Sequence, residues 1–523
     1  MLINALIPIV LPIILIVGLK MSAKNGMVIT ALIFFIVTWF VWGLEADIML
    51  GSIIKGVFSS LNILLILFGA IVLLNTLKRT GAIGRINEGF AALSKDMRIQ
   101  AILVAFLFGS LIEGASGFGT PAVVVGPLLL ALGFAPLSAV TLALISDSMA
   151  VSYGAVGTPV NVGFQNLGLA SGELLDITKY ATRIDLLAGA FVPIILVFVL
   201  TYVFGEKGKR KIRDTVEMAP FALIVGFAYT LFAFGIVRVI GYEFTSILAP
   251  IFTIITAVMM IKYRIFIPKN VWTTNKLETV QIEKAKSISL LKSWLPYILV
   301  VGLLLLTRIV LPVREFVTTF LNIRIDNLFN INEISLSWPI LYSPGTVLLI
   351  SAIIGSYIQS GSFKSVRNAS KESFDTMMQA AVALIFTLAM VQVFSSSGIG
   401  LDVSMPAYIA SVLVETVGGT WYLIAPFIGQ LGAFITGSAT VSNLTFSPIQ
   451  YEVATQIGAN TELVLAEQLL GGASGNMICI HNIVAAATVV GLVGKEGEIL
   501  RKTIMPAMFY GIIIGVSALL ISI

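Results

Sequence analysis

This chain of 523 residues holds one cysteine, one histidine and very little charge, with Asp, Glu, Lys and Arg together making up 11% of it. A lone cysteine, Cys479, excludes an intrachain disulfide and any cysteine-based metal site. A lone histidine, His481, cannot build a zinc or haem centre. The signatures H-E-x-x-H, G-x-S-x-G, C-x-x-C and the Walker loop are missing as well, which argues against an enzyme and calls for no cofactor and no metal. So few charges cannot cover a water-soluble fold of this length. What is present is apolar: 58% of residues are hydrophobic and the mean hydropathy is +1.01. The solvent is therefore lipid, and the fold class is an all-α, polytopic membrane protein. The net charge of +5 is small and scattered over short loops, as membrane topology requires, and does not suit nucleic-acid binding.

Apolar runs of spanning length lie near 3–19, 27–44, 57–77, 184–204, 218–240, 245–265, 293–312, 344–361, 374–394 and 503–523, and interrupted ones cover 99–170 and 421–494. Together they predict about 12–14 helical segments. The first run has no positive residues before it, so it reads as a membrane helix and not as a cleaved leader. An outside N-terminus places the basic clusters 20–24, 78–98, 207–213, 262–292, 364–371 and 495–502 in the cytoplasm; these hold 25 of the 32 Lys and Arg residues. One alternation satisfies every cluster, with the C-terminus also outside. The charged stretch 78–98 reads as an interfacial amphipathic helix. The loops 266–292 and 313–343 are too short for domains, leaving 1–523 as one integral membrane unit.

The interrupted runs are alike. "GASGFGTPAVV" from Gly114 matches "GSATVSNLTFS" from Gly437, and "GAVGTPV" from Gly154 matches "GASGNMI" from Gly472. The first follows a cytoplasmic basic stretch and the second an outside one, the signature of an inverted repeat. The repeats cover about 27–204 and about 344–523, with linking helices at about 218–312.

The flanks of "EGASGFGTPAVV" are each roughly 12–15 residues, too short for about 30 Å of hydrocarbon, so a re-entrant hairpin is expected. Gly114, Gly117 and Gly119 permit the turn. Thr120 is expected as an N-cap with Pro121 opening a half-helix, and Gly157, Thr158 and Pro159 repeat the device. In the second unit the caps are expected at Ser442-Asn443 and Gly475-Asn476. Four half-helix N-termini near the midplane form an anion site. Its residues are Ser116, Gly117, Gly119, Thr120, Gly157, Thr158 and Asn161 from the first unit, and Ser438, Thr440, Ser442, Asn443, Gly475 and Asn476 from the second. An ionisable group at this depth is costly and marks function. Glu113, Asp147 and His481 are the candidates for proton coupling, in that order, with Glu467 behind them. Arg238 and Arg308 fall at helix ends and snorkel.

At "IEGASGFGTPAVVVGPLLLALGF", "ISDSMAVSYGAVGTPVNVG" and "GQLGAFITGSATVSNLTF" the sequence resembles the L-lactate permease family. The resemblance extends over essentially the whole chain, with its specific motifs in 109–163 and 428–482. It implies import of L-lactate, and of glycolate or related 2-hydroxymonocarboxylates, with protons across the plasma membrane. It also implies two inverted repeats, each with a re-entrant hairpin and a broken helix, and alternating access of elevator type. The partners are then L-lactate, a proton and the lipid bilayer, with no nucleic acid and a homodimer left open. Sodium-coupled organic-anion symport is the alternative, and an anion channel a weaker one.

Overall fold

The computed structural model describes residues 2–12, 14, 15, 19, 21, 23–117, 119–205, 211–273, 288–492 and 495–523. Backbone in lipid must satisfy its own hydrogen bonds, and the described residues accordingly fold into helices joined by turns and short connections, save one small β-hairpin. Among the described residues, 7 helices are long and apolar enough to span a membrane, or 10 if each bent pair counts as one span. Of the expected first span, 3–19, short helices cover Leu2–Ala5 and Ile7–Pro12 with one turn residue, Leu6, between them. Residues 13 and 16–18 of that span lie outside the described residues.

Helix α1 (Ala46–Thr80) has 35 residues, about 52 Å of rise. It ends at Gly81, whose φ of 83° turns the chain into Ala82–Ala91. That helix buries Ile83, Ile86 and Phe90 and leaves the Arg85–Glu88 pair exposed, the amphipathic helix expected there. Next come α2 (Met97–Ala115), α3 (Thr120–Ala131), α4 (Pro136–Asp147), α5 (Gly154–Asn161) and α6 (Ser171–Leu187). Strands β1 (Asn322–Ile325) and β2 (Leu336–Pro339) pair antiparallel, Asn322 opposite Pro339. The second half holds α7 (Lys364–Ser395), α8 (Trp421–Thr436), α9 (Ala439–Gln456), α10 (Thr461–Gly475) and α11 (Ile480–Val489).

Both halves thus run arm, tip, arm, helix, break, helix. In the first, α2 and α3 fold back on each other: a Cβ on Gly109 would lie 3.4 Å from Val125 Cγ2, with Gly117 midway between them. The α4 segment and the helical stretch after it are bent by 51°. The arm α2 is longer than its apolar flank suggests, 19 residues and wholly buried, about 28 Å of rise. It starts early because Arg98 is buried with a partner. Arg98 holds Asp96 through Nε (3.0 Å) and Nη2 (2.7 Å), and donates to the carbonyls of Asp214 (2.8 Å) and Asn270 (3.0 Å). Asp96 also accepts from the backbone N–H of Trp272, so one knot ties the base of the hairpin to two distant segments.

The long helices α1 and α7 pack closely and antiparallel. A Cβ on Gly56 would collide with Ala389 Cα, while at the other end Arg79 pairs with Glu372 at 2.7 Å. Small residues permit such approach where apolar packing brings no hydrophobic gain over lipid. Thr80 donates to Gln359 (2.6 Å) and Gln359 to the Lys292 carbonyl (2.9 Å). The described parts of the basic clusters 78–98, 262–292 and 364–371 therefore meet on one face. The β-hairpin lies on the opposite face, where Lys55 reaches the Glu333 carbonyl. Residues 274–287, within the cluster 262–292, and 206–210, which overlap the cluster 207–213, lie outside the described residues.

Candidate functional site

Both tips and the first break converge. Gly117 takes φ 62° and ψ −163°, a conformation only glycine adopts readily, and a Cβ there would lie 2.7 Å from Ala155 Cβ. Across from it Ala155, Val156 and Gly157 have φ of 41°, 59° and 73°. Left-handed backbone costs an alanine or a valine roughly 1–2 kcal/mol, and here it lines a cavity. The cavity holds about 20 Å³, bounded by Glu113, Gly117, Gly154, Thr158, Ser438, Thr440 and Asn476 among others. That is room for about one water molecule.

Two carboxylates stand beside it. Glu113 is 2% exposed, and a Cβ on Gly154 would collide with its Oε1, so a glycine lets the carboxylate press against the broken backbone. Asp147 is 1% exposed and is hydrogen-bonded by the Asn476 side chain. Glu113 Oε2, Asp147 Oδ1 and Asn476 Oδ1 are buried with no hydrogen-bond partner among the described residues. Buried polar atoms are rarely left so, and such gaps mark places where a proton, water or ligand belongs. Among the described residues, no ion pair neutralises either carboxylate.

A second cavity, about 770 Å³, opens on the β-hairpin face and reaches Thr158 from the other side; Asn161, Tyr242, Glu243 and Arg314 are among its walls. Asn161 accepts from the Tyr242 hydroxyl (2.5 Å) and donates to Glu243 (3.1 Å). Thr158 is the wall common to vestibule and inner cavity.

The helix caps differ from the expected ones. Gly119, with φ 71°, holds the N-cap position of α3, and Thr120 is its first helical residue; the side chains of Ser116 and Thr120 lie outside the described residues. Thr158 spends its hydroxyl on the Ala155 carbonyl (2.5 Å). In the second unit Ser438 is the N-cap, accepting from the Val441 N–H, so Ser442 and Asn443 sit a turn inside α9. Helix α10 runs on to Gly475 and α11 starts at Ile480, so Asn476 caps no new helix. At the second tip the positive φ settles on Gly437, and the cap falls to the next residue, Ser438.

Several expected residues lie elsewhere. Ser442 donates to the Gly429 carbonyl and Asn443 to the Pro159 carbonyl. Gly475 is a packing glycine against Gln430, Gly157 lies under Tyr242, and Gly119 faces the Asn482 amide. His481 is exposed and lines neither cavity. Glu467 is fully buried, its oxygens without partners among the described residues, but it too lines neither. Arg238 is anchored by the Thr182 hydroxyl and the Phe234 and Lys179 carbonyls, and the side chain of Arg308 lies outside the described residues.

Sequence reasoning missed Asp185, which is buried and accepts from the Tyr510 hydroxyl at 2.8 Å. Its signal was helical phase: it shares the buried stripe of α6 with Ile177, Ala181 and Ile184. It also missed an amide chain. Trp421 donates to Gln450 (2.8 Å), Gln450 to Gln468 (3.0 Å) and Gln468 to Asn443 (3.2 Å).

The sequence profile described as L-lactate permease matches residues 1–523. This chain belongs to the L-lactate permease family. A putative L-lactate permease of Haemophilus influenzae is 31% identical to this permease over 475 residues, 87% of this chain and 86% of that one. The glycolate permease GlcA of Escherichia coli is 26% identical, covering 99% and 94% of the two chains. The L-lactate permease of Bacillus subtilis is also 26% identical, covering 94% and 90%. Among solved structures, the YdaH transporter of Alcanivorax borkumensis overlaps at a TM-score of 0.44 with 16% identity, over 90% of this chain and 89% of that one. The protein is a permease and not an enzyme.

Proposed function

We propose that this permease imports L-lactate and glycolate with protons, by alternating access of elevator type, and that the small cavity under the two tips is its closed substrate site. The observation that carries the reading is the arrangement at Thr158. Helix starts, glycine backbone and amide groups meet there beside an unpaired buried carboxylate, Glu113, and a vestibule reaches the same threonine. N-terminal backbone dipoles and hydroxyls suit a 2-hydroxycarboxylate. The family and its glycolate-permease relative supply the substrate class. Residues Gly117, Thr158, Ser438, Thr440 and Asn476 hold the anion when the cavity dilates, and Thr120, with Ser116, completes the tip.

The proton reading rests on charge. An inside-negative potential opposes an entering anion by about 2.3 kcal/mol per 100 mV, and one co-transported proton cancels this. Glu113, at the tip, is the first candidate carrier and Asp147 the second. His481, exposed and away from both cavities, is the weakest of the three. Two repeats of inverted topology fit the matching element order and the antiparallel packing of α1 on α7, with the basic face cytoplasmic and both termini outside in the plasma membrane. In the elevator reading the α1–α7 pair stays fixed while the hairpins and broken helices move.

Uptake by the purified protein in liposomes, with proton and sodium gradients imposed separately, tests this. Saturable lactate accumulation driven by an inward proton gradient without sodium is expected. Accumulation that needs a sodium gradient overturns proton coupling, and non-saturable flux that tracks the membrane potential overturns the carrier.

A further inference from the structure

Beside the vestibule lies an alcove of about 150 Å³ that the transport site does not use; its walls include Lys55, Ser59, Asn62, Gln165, Ser337 and Trp338. Asn62 and Gln165 also line the vestibule, so the two spaces adjoin. Among the described residues, the alcove wall contains one cation, Lys55, and no carboxylate side chain. Lys55 is half-buried and, among the described residues, donates to one backbone carbonyl, that of Glu333, at 3.3 Å. Trp338, held in β2 opposite Ile323 and edge-on to Phe58, has its indole N–H buried without an acceptor among the described residues. An ammonium with spare donors, an indole N–H in need of an acceptor, and hydroxyl and amide groups around them complement an anion, and nothing in the wall repels one. The space is several times that of the closed inner cavity and is too polar to stay dry.

We propose that this alcove is a second anion site, separate from the substrate site, that takes a small carboxylate of two or three carbons between the Lys55 ammonium and the Trp338 indole. It is a waiting site on the vestibule wall. A carboxylate held there raises the local substrate concentration next to Thr158, and it does so whichever ion drives transport. Capture at the wall would lower the external concentration at which uptake half-saturates and leave the maximal rate unchanged.

The full chain in nanodiscs supplies the test. Tryptophan fluorescence is titrated with lactate, glycolate and chloride, with ionic strength held by a bulky sulfonate, and the Trp338 signal is the difference between the parent and Trp338→Phe. Lactate and glycolate should produce a saturable Trp338 signal and chloride should not. Lys55→Gln should raise the half-saturating concentration about tenfold, the worth of one charged hydrogen bond, and Lys55→Arg should restore it. Thr158→Val, which acts on the substrate site, should leave the signal in place. In liposomes Lys55→Gln should raise the half-saturating concentration for uptake at constant maximal rate. A Trp338 signal that ignores all three anions overturns the alcove site. An equal response to chloride overturns the carboxylate assignment, and loss of the signal with Thr158→Val overturns its separateness. If the parent transports no lactate but the Trp338 signal still saturates, the transport reading falls and the alcove stands.

Discussion

The side-chain amide of Asn443 donates to the backbone carbonyl of Pro159 at 3.0 Å, across 284 positions of chain. One residue of the second hairpin thereby fastens the helix that succeeds the first break. Gln468 in turn orients the Asn443 amide by donating to its Oδ1. The two halves are thus joined by a neutral, fully buried bond to Pro159, a residue of the inner cavity's wall.

Asn443→Ala should lower stability by about 1–3 kcal/mol, because it leaves a buried carbonyl and a glutamine N–H unmatched. The thermal midpoint of the purified protein should fall and lactate uptake with it. Asn443→Gln should not rescue, since the longer side chain cannot reach both partners. A variant as stable as the parent would show the bond to be incidental.

Gly117→Ala should abolish uptake. The backbone at Gly117 is close to forbidden for alanine, and the new methyl would meet Ala155 at 2.7 Å. The strain of about 1–3 kcal/mol would be relieved by moving the tip off the broken helix. Retained uptake at parental rate would mean the tip need not close on Ala155.

Breaking the buried pair at the base of the first hairpin should cost more than any single change at the tip. Arg98 and Asp96 are 1% and 3% exposed, and removing one partner of such a pair costs about 3–5 kcal/mol. Arg98→Gln and Asp96→Asn should each reduce folded protein sharply in detergent. The double variant should lose less than the sum of the two, which a thermal-unfolding cycle measures.

Thr158→Val and Asn476→Ala should each weaken lactate binding by roughly 10- to 150-fold, the worth of a hydrogen bond to a charged group, in protein that still folds. Titration calorimetry reads this directly. Normal binding by both variants would remove the substrate from this cavity.

Glu113→Gln should separate exchange from accumulation. The amide resembles the protonated carboxyl, so lactate should still exchange across liposomes, but a pH gradient should no longer concentrate it. A variant that concentrates lactate like the parent would pass the role to Asp147, with Asp147→Asn as the next measurement.

Composition alone determined that lipid is the solvent and helix the structure, because backbone groups in hydrocarbon have few other solutions. The breaks were also legible, since glycine and Thr-Pro act on their own neighbours: Gly117, Gly119 and Gly157 all take positive φ, whereas Gly114 stays helical and serves close packing against the Ser246 carbonyl. Cap positions in the second unit were misplaced by a turn because serines and asparagines succeed one another there and local propensity does not choose between Ser438 and Asn443. What only the tertiary structure decided is which polar groups meet. Asp185 finds Tyr510 across 325 positions, and Asn443 finds Pro159. Such partners are chosen by how whole helices pack, and helix packing in lipid turns on close fit along entire faces, a property no short stretch of sequence contains.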